Sequence, residues 1–394
     1  MLTDLSLTER GDKRRRSGDL WLNRGDVDDD SGDLPSGSVV DLLSPDGHFR
    51  GRGFYNARSS VAVRVVSDAK VSIDESFFGK RIQSAMEYRE NRCSGLRSFR
   101  VVHGDGDYLP GLVVDCYGEY LVVQFRHPTV EEFESTIADV LEQEFSPRSI
   151  YCRNDFEARQ EMGLDSYSKL LRGEEVPDRV PVLDDPFSIV ADLKNGQKTG
   201  FYLDQNFNRR AFADYINDGR GIDCFSYSGG WGLTALDRGA DHVTFVDSSS
   251  AATDLVQENL RRNGWSESAS IQEKDCFDYL NDRSEKGNTT DFIALDPPAF
   301  ARNSSGKGRA LKGYKEINLR AMQLLKEGGF LATNTCSAPV TRDDFIEVVR
   351  ESADDAHVSC RVLEDRTQGP DHPWLPRIPR TLYLQSMICE ISLS

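Results

Sequence analysis

Residues 222–247 read Ile-Asp-Cys-Phe-Ser-Tyr-Ser-Gly-Gly-Trp-Gly-Leu-Thr-Ala-Leu-Asp-Arg-Gly-Ala-Asp-His-Val-Thr-Phe-Val-Asp. Ile222 to Phe225 is a short apolar run, Gly232 to Arg238 has helical spacing, and His242 to Val246 is a second apolar run. Glycines at 229, 230 and 232 let the backbone turn sharply between strand and helix. Strand, glycine turn, helix and strand together predict a βαβ unit. The rhythm continues downstream. Helices are expected at Ala251–Asn263, Tyr314–Leu325 and Arg342–Ser352, and strands at Phe292–Leu295 and Phe330–Thr333. Apolar runs of four or five residues alternating with amphipathic helices predict an α/β fold with a buried parallel sheet. Ser359–Glu364 and Leu382–Ile391 can form an antiparallel pair at its edge.

Upstream the pattern differs. Residues 1–36 are polar and Asp/Gly-rich with a basic run at Lys13-Arg14-Arg15-Arg16, and by composition alone they read as half disordered. Short β-rich runs between turn residues over 38–66 predict a small barrel or sheet. A helix is expected over 74–92 and strands over 98–126. Thr129 is placed to cap a helix running to Phe145, Ser149–Arg153 reads as a strand, and 154–186 as mixed loop.

The chain has 394 residues, which at ~150 per domain predicts two or three domains. Hydrophobic residues at 38% and charged residues at 29% argue for folded cores. No run reaches the ~18 apolar residues of a bilayer span, and Met1-Leu-Thr-Asp does not read as a signal segment, so a soluble cytoplasmic protein is expected. The eight cysteines are scattered, without C-x-x-C or a Cys/His cluster, and no metal site is expected. The net charge of −17 excludes a grip on nucleic acid by bulk charge. Any RNA contact must then use local basic patches. The acidity can equally be a solubility trait.

Five segments carry chemistry. The turn Phe225-Ser226-Tyr227-Ser228-Gly229-Gly230 lies at the carboxyl end of its strand, where α/β sheets bind ligands. Asp247 ends the next strand and can accept from ribose hydroxyls. Asp275, followed by Cys276, ends a third, where an adenine amino group could be met. Each acid alone could be a cap or turn residue; jointly with the turn they suit an adenosyl ligand. Asp296-Pro297-Pro298-Ala299-Phe300 closes a strand with a rigid extended exit. Thr335-Cys336-Ser337 ends the following strand, which puts a thiol at the ligand edge of the sheet, where a thiolate could act as nucleophile. The helix before it reads as stopping at Gly328-Gly329. Lys194 to Arg209 is too rich in polar, glycine and aromatic residues for a plain linker. There Gln205 and Tyr202 are candidates to line a cofactor pocket. His372, in Gly369-Pro370-Asp371-His372-Pro373, is a candidate for a base pocket.

The series K-x-G-x-K-T-G-F-Y-L-D-Q (194–205), C-F-S-Y-S-G-G (224–230), V-D-S-S (246–249), D-P-P-x-F (296–300), G-Y-K-E-I-N (313–318), T-C-S (335–337) and D-H-P (371–373) resembles the ribosomal RNA large subunit methyltransferase I family. The resemblance is dense over 190–394 and looser through Phe99–Val123. It implies a PUA-like RNA-binding β-barrel over 1–73, which would claim the polar N-terminus. A central mixed α/β domain over 74–186 would follow, and a Rossmann-like class I methyltransferase domain with a seven-stranded sheet over 187–394. It further implies S-adenosyl-L-methionine as cofactor, 23S rRNA of the large subunit or its precursor as partner, no membrane, and a homodimer. Three departures stand out. Asn206 follows Gln205 where the family continues with arginine, Trp231 stands where a smaller aromatic is usual, and the N-terminal third has few exact matches. Many RNA cytosine-5 enzymes also carry a second cysteine in the Pro-Pro segment, and this chain has none there.

The expected reaction is cytosine-5 methylation. Cys336 adds to carbon 6 to make carbon 5 reactive, and Asp296 is the candidate base for the later proton loss. Tyr202, Gln205, Phe225, Ser226, Tyr227, Ser228, Gly229, Gly230, Asp247, Asp275, Cys276, Asp296 and Pro297 are expected at the cofactor, and Pro298, Phe300 and His372 at the base. The alternatives are methylation at another base atom such as guanine N7 or adenine N6, which needs no thiol, and a non-catalytic RNA-binding protein on the same fold. A nicotinamide dehydrogenase is disfavoured by the missing G-x-G-x-x-G.

Overall fold

The computed structural model describes residues 3–28, 34–156, 158–183, 185–287 and 289–393. They fall into two units. The first comprises Met1–Asp184, Asp192–Leu203 and Pro370–Thr381; the second comprises Asp185–Ala191, Asp204–Gly369 and Leu382–Ser394.

The first unit holds two five-stranded sheets. In spatial order the N-terminal one runs Thr3–Ser6, Val39–Leu43, Phe49–Tyr55, Val61–Ser67 and Trp21–Asn23. Its first pair is parallel and the others antiparallel. The reading of 1–36 as half disordered is therefore corrected over 3–28, while 29–33 lie outside the described residues. Leu5, Leu7, Leu20, Leu22 and Val27 are buried there. Thr8 caps the helix Glu9–Arg16, its side chain accepting from the Gly11 amide at 3.1 Å. The arginines of the basic run are matched by acids: Arg14 with Asp19 and Asp26, Arg15 with Asp68, Arg16 with Asp12.

The second sheet runs Ser98–His103, Leu112–Tyr117, Tyr120–Phe125, Ser149–Asn154 and Tyr167–Gly173. Two expectations fail here. Thr129 is buried and is not the cap; His127 Nδ1 accepts from the Thr129 amide at 3.2 Å, and the helix is broken into Pro128–Glu132 and Glu134–Phe145. Proline at the first turn favours that earlier start. Nor is 154–186 plain loop. It contributes the strand Tyr167–Gly173, where the Tyr167 hydroxyl lies 2.9 Å from a carboxylate oxygen of Glu131 and of Glu134 and can donate its one proton to either.

The second unit is built on one seven-stranded sheet: β1 (Arg220–Cys224), β2 (His242–Asp247), β3 (Ala269–Glu273), β4 (Thr290–Leu295), β5 (Leu325–Thr335), β6 (Val358–Thr367) and β7 (Gln385–Leu393). Their spatial order is β3-β2-β1-β4-β5-β7-β6. β1 to β5 are parallel, and β7 runs antiparallel between β5 and β6. The helices are α1 (Asn206–Ala213), α2 (Gly230–Arg238), α3 (Ser250–Asn263), α4 (Cys276–Glu285), α5 (Lys307–Leu324) and α6 (Arg342–Ala356). The expected helix from Tyr314 begins seven residues earlier, and Lys326–Gly329, read as a helix stop, belongs to β5. Among the described residues no helix is long and apolar enough to cross a membrane.

Chain order reverses in space between β1 and β4, so the loops leaving β1 and β4 diverge from a crevice at the carboxyl edge. Register aligns their ends: Cys224 pairs with Val246 and with Leu295, and Leu295 with Thr333. α2 lies close on β2 because Gly232 has no side chain. A Cβ there would come within 2.3 Å of the Phe245 ring and 2.9 Å of Val243. Gly232→Ala is accordingly expected to cost about 1–3 kcal/mol of unfolding free energy, the range for overpacking a core. A urea titration monitored by circular dichroism checks this; an unchanged midpoint would contradict the close-packing argument.

Candidate active site

Each residue that follows one of the aligned strand ends reaches the crevice. After β1, the turn 225–229 is tightly wound. Phe225 and Tyr227 have φ of 60° and 49°, and Gly229 has φ of 85°. Left-handed non-glycine residues are uncommon and gather at ligand sites, where surrounding contacts hold them. The holding group here is Asp247, at the end of β2. Its Oδ2 accepts from the Tyr227 amide and its Oδ1 from the Ser249 amide, both at 2.9 Å. Cys276 is buried; its Sγ accepts from the Phe225 amide at 3.2 Å and donates to the Val246 carbonyl at 3.5 Å. Asp275 caps α4, its Oδ1 accepting from the amides of Phe277 and Asp278 at 2.8 and 3.2 Å.

After β4, Asp296 is held from two sides. Gln205 Nε2 donates to its Oδ1 at 2.8 Å, and Trp231 Nε1 to its Oδ2 at 3.0 Å. Gln205 is itself oriented by Asn208, whose Nδ2 donates to its Oε1 at 2.8 Å. The unusual Trp231 thus supplies a donor that a phenylalanine lacks. After β5, Cys336 is half-buried, with Sγ 3.9 Å from the Pro297 carbonyl oxygen. Six of the other cysteines are buried, and half-buried Cys360 lies on β6. The turn carrying Cys336 is tied to the Pro-Pro loop: the Ala301 amide donates to Ser337 Oγ at 3.2 Å, and Tyr314 Oη lies 2.8 Å from the same atom. Pro297 is buried and Pro298 exposed.

Half-buried Phe225, Phe277 and Phe300 face one another across this edge, with ring centroids 5.7–6.5 Å apart. Phe300 also packs on Tyr314 at 4.5 Å. Phe277 was not singled out from the sequence; its place two residues after Asp275 was the available signal. Asp223 was likewise quoted but given no role. It is buried, its Oδ2 accepts from the Gly232 amide at 2.8 Å, and its Oδ1 has no hydrogen-bond partner among the described residues. Burial, reinforced by the charges of Asp296 and Asp247 and only partly offset by the Gly232 amide, pushes its carboxyl up to about 8.

The substitution at 206 has a structural answer. Asn206 is buried and accepts from Arg209, which also donates to Thr234 Oγ1 at 2.6 Å and pairs with Asp185. Arg210 pairs with Asp185 as well. Burial acts to raise the Asp185 carboxyl, but the two guanidiniums outweigh it and hold it below the usual range. Arg209 is thereby a buried brace of α1.

Two expected site residues belong to the first unit. The Tyr202 hydroxyl donates to Gln197, and Lys198 Nζ lies 5.6 Å from its ring centroid. His372 is buried, 3.0 Å from Asp371 and 5.1 Å between ring centroids from His103. The structure gathers Gln205, the 225–230 turn, Asp247, Asp275, Cys276, Asp296, Pro297, Pro298, Phe300 and Cys336 at one edge of the second unit. A left-handed glycine turn, carboxylates at the ends of β2 and β4 and three facing aromatic rings suit a nucleoside carrying a positive charge. Among the described residues no cluster of three metal-ligating side chains occurs.

Residues 5–68 match the family described as PUA-like domain, and residues 204–353 the family described as conserved hypothetical protein 95. The chain is 34% identical over 375 residues to the ribosomal RNA large subunit methyltransferase I of Shigella dysenteriae, covering 94% of each. It is similar in fold to a structure from Streptococcus mutans designated a SAM-dependent methyltransferase, with TM-score 0.84, 21% identity and coverage of 98% and 100%. A structure designated a methyltransferase in complex with SAH is similar to the same degree, with TM-score 0.84, 22% identity and coverage of 99% and 100%.

The raised Asp223 carboxyl has a consequence for stability. Its folded value of about 8 lies above the ordinary 3.8, so the folded state keeps a proton that the unfolded chain gives up. The contribution is fully present below about pH 4 and is lost as pH rises towards 8. Asp223→Asn should therefore unfold at a higher temperature than the wild type at pH 8.5, with the gap closing at pH 5. Thermal unfolding at the two pH values measures it, and a gap independent of pH would refute the buried-acid assignment.

Proposed function

The chain belongs to the ribosomal RNA large subunit methyltransferase I family, and from that premise we propose that it is a SAM-dependent methyltransferase forming 5-methylcytosine in 23S rRNA through a Cys336 thiolate adduct. The observation that carries the reading is the half-buried thiol of Cys336 beside the Pro297 carbonyl, at the end of the strand adjoining Asp-Pro-Pro.

In this reading the turn 225–230 and Asp247 hold the adenosyl part, the latter through ribose hydroxyls. Asp275, Cys276 and Phe277 border the adenine. Gln205, Asp296 and Pro297 serve the other end of the cofactor. Bound there, S-adenosyl-L-methionine supplies an electrophilic methyl group. The target base is unstacked and inserted against Pro298 and Phe300. The Cys336 thiolate forms a sulfur–carbon bond to carbon 6, and the electron pair displaced from the 5,6 double bond makes carbon 5 nucleophilic. Once carbon 5 carries the methyl group, Asp296 takes its proton, the double bond re-forms and the thiolate leaves. Each carboxylate oxygen of Asp296 accepts a hydrogen bond, one from Gln205 and one from Trp231, which fixes the direction of the carboxylate. The same proposal takes 1–73 as the RNA-binding PUA-like domain, 74–186 as the central domain and 187–394 as the methyltransferase domain, working in the cytoplasm.

Nucleoside mass spectrometry of 23S rRNA incubated with methyl-labelled cofactor should place label in 5-methylcytidine. Cys336→Ala should abolish it while calorimetric binding of S-adenosylhomocysteine persists. Label in another nucleoside, or full activity of the alanine variant, would overturn the thiol mechanism. Trp231→Phe keeps the ring packing but removes the donor to Asp296. Hydrogen bonds to charged groups are worth ~1.5–3 kcal/mol, so kcat should fall roughly tenfold or more. A kcat equal to wild type would remove Trp231 from the argument.

A further inference from the structure

We propose that Arg309 and Lys312 form a docking surface for the phosphate backbone of the RNA strand whose base enters the active site. This rests on the RNA methyltransferase reading above and adds where the strand lies. In a chain with 65 acidic and 48 basic residues, positions 297–315 contain Arg302, Lys307, Arg309, Lys312 and Lys315 and no acid. The segment is joined to the reacting edge at both ends. It leaves Asp296 and Pro297 directly, and the Ala301 amide and Tyr314 hydroxyl fasten it to Ser337, the neighbour of Cys336.

Ion pairing sorts the four cations of α5. Lys307 pairs with Asp344 at 2.7 Å, and Lys315 with Glu351 and Asp355 at 3.0 and 2.9 Å. Arg309 and Lys312 are exposed, and among the described residues no carboxylate lies within ion-pair distance of either. They are three residues apart on α5 and share a face. The first turn of α5 carries Lys307 and Arg309 and no acid, an arrangement unfavourable for an isolated helix, whose amino end prefers negative charge. By contrast, basic residues conspicuous elsewhere in the sequence are matched by the chain's own acids: Arg14, Arg15 and Arg16 as described, Arg50 by Asp12, Arg52 by Asp41 and Arg64 by Asp105. Phosphate contacts position a strand without reading its sequence. A cationic face on the segment that carries Phe300 and Tyr314 is suited to hold the backbone while one base is withdrawn.

The test is the salt dependence of binding to a 23S rRNA transcript, for the wild type and for Arg309→Gln with Lys312→Gln. Each phosphate contact contributes ~0.7–0.9 to the slope of log Kobs against log salt. The double variant should lower that slope by roughly 1.4–1.8 and weaken binding at least tenfold at low salt, with S-adenosylhomocysteine binding unchanged. Arg261→Gln with Arg262→Gln, on exposed α3 positions, removes equal charge elsewhere and should leave the slope as in the wild type. A wild-type slope in the first variant, or an equal fall in both, overturns the proposal. Failure of the wild type to bind the transcript at all would instead refute the RNA reading, and this proposal with it.

Discussion

Lateral pairing of Val246, Cys224, Leu295 and Thr333 holds four parallel strands in register at or within two residues of their carboxyl ends, and the candidate site is arranged along that edge. The next residues along the chain supply the 225–230 turn, Asp247, Asp296 and the approach to Cys336. Slipping one strand by a residue would turn its side chains to the other face of the sheet. Gly232 against Phe245 and Gly221 against Phe292 show how little slack the packing leaves. A Cβ at Gly221 would fall 1.9 Å from that ring.

Charge at this edge is balanced with equal economy. Asp223, Asp247 and Asp296 are mutually repulsive, and the deepest of them, Asp223, keeps its proton up to about pH 8. The other two are met by hydrogen-bond donors: backbone amides at Asp247, and Gln205 and Trp231 at Asp296. The proton kept on Asp223 spares this edge the full strain of three like charges.

The α/β half was legible because each buried strand is an uninterrupted apolar run bounded by glycine, proline or aspartate. The N-terminal sheet was not, since Leu5, Leu7, Leu20 and Leu22 are thinly spread among charges that pair only in three dimensions. Tyr167–Gly173 was missed because the strand is mostly half-exposed and lacks a clean alternation. α5 was shortened because Gly306-Lys307-Gly308-Arg309 is a poor helix start. At the site, the sequence located the loops but not their bonds. That Trp231 and Gln205 grip one carboxylate spans up to 91 positions, and no local pattern encodes it. The raised Asp223 carboxyl depends on burial, which spacing alone does not report.

The placement of β7 also bears on how the sheet is made. β5 and β6 do not pair with each other; each is joined to the sheet's far side only through a strand that comes last of the seven in chain order. During synthesis from the amino end, β5 therefore waits with an unsatisfied edge, and β6 without any partner, until residues 385–393 have emerged. Exposed strand edges invite pairing with other chains. The interval before β7 closes the gap is the period in which a nascent copy of this protein is most open to aggregation, and chaperone protection would matter most then.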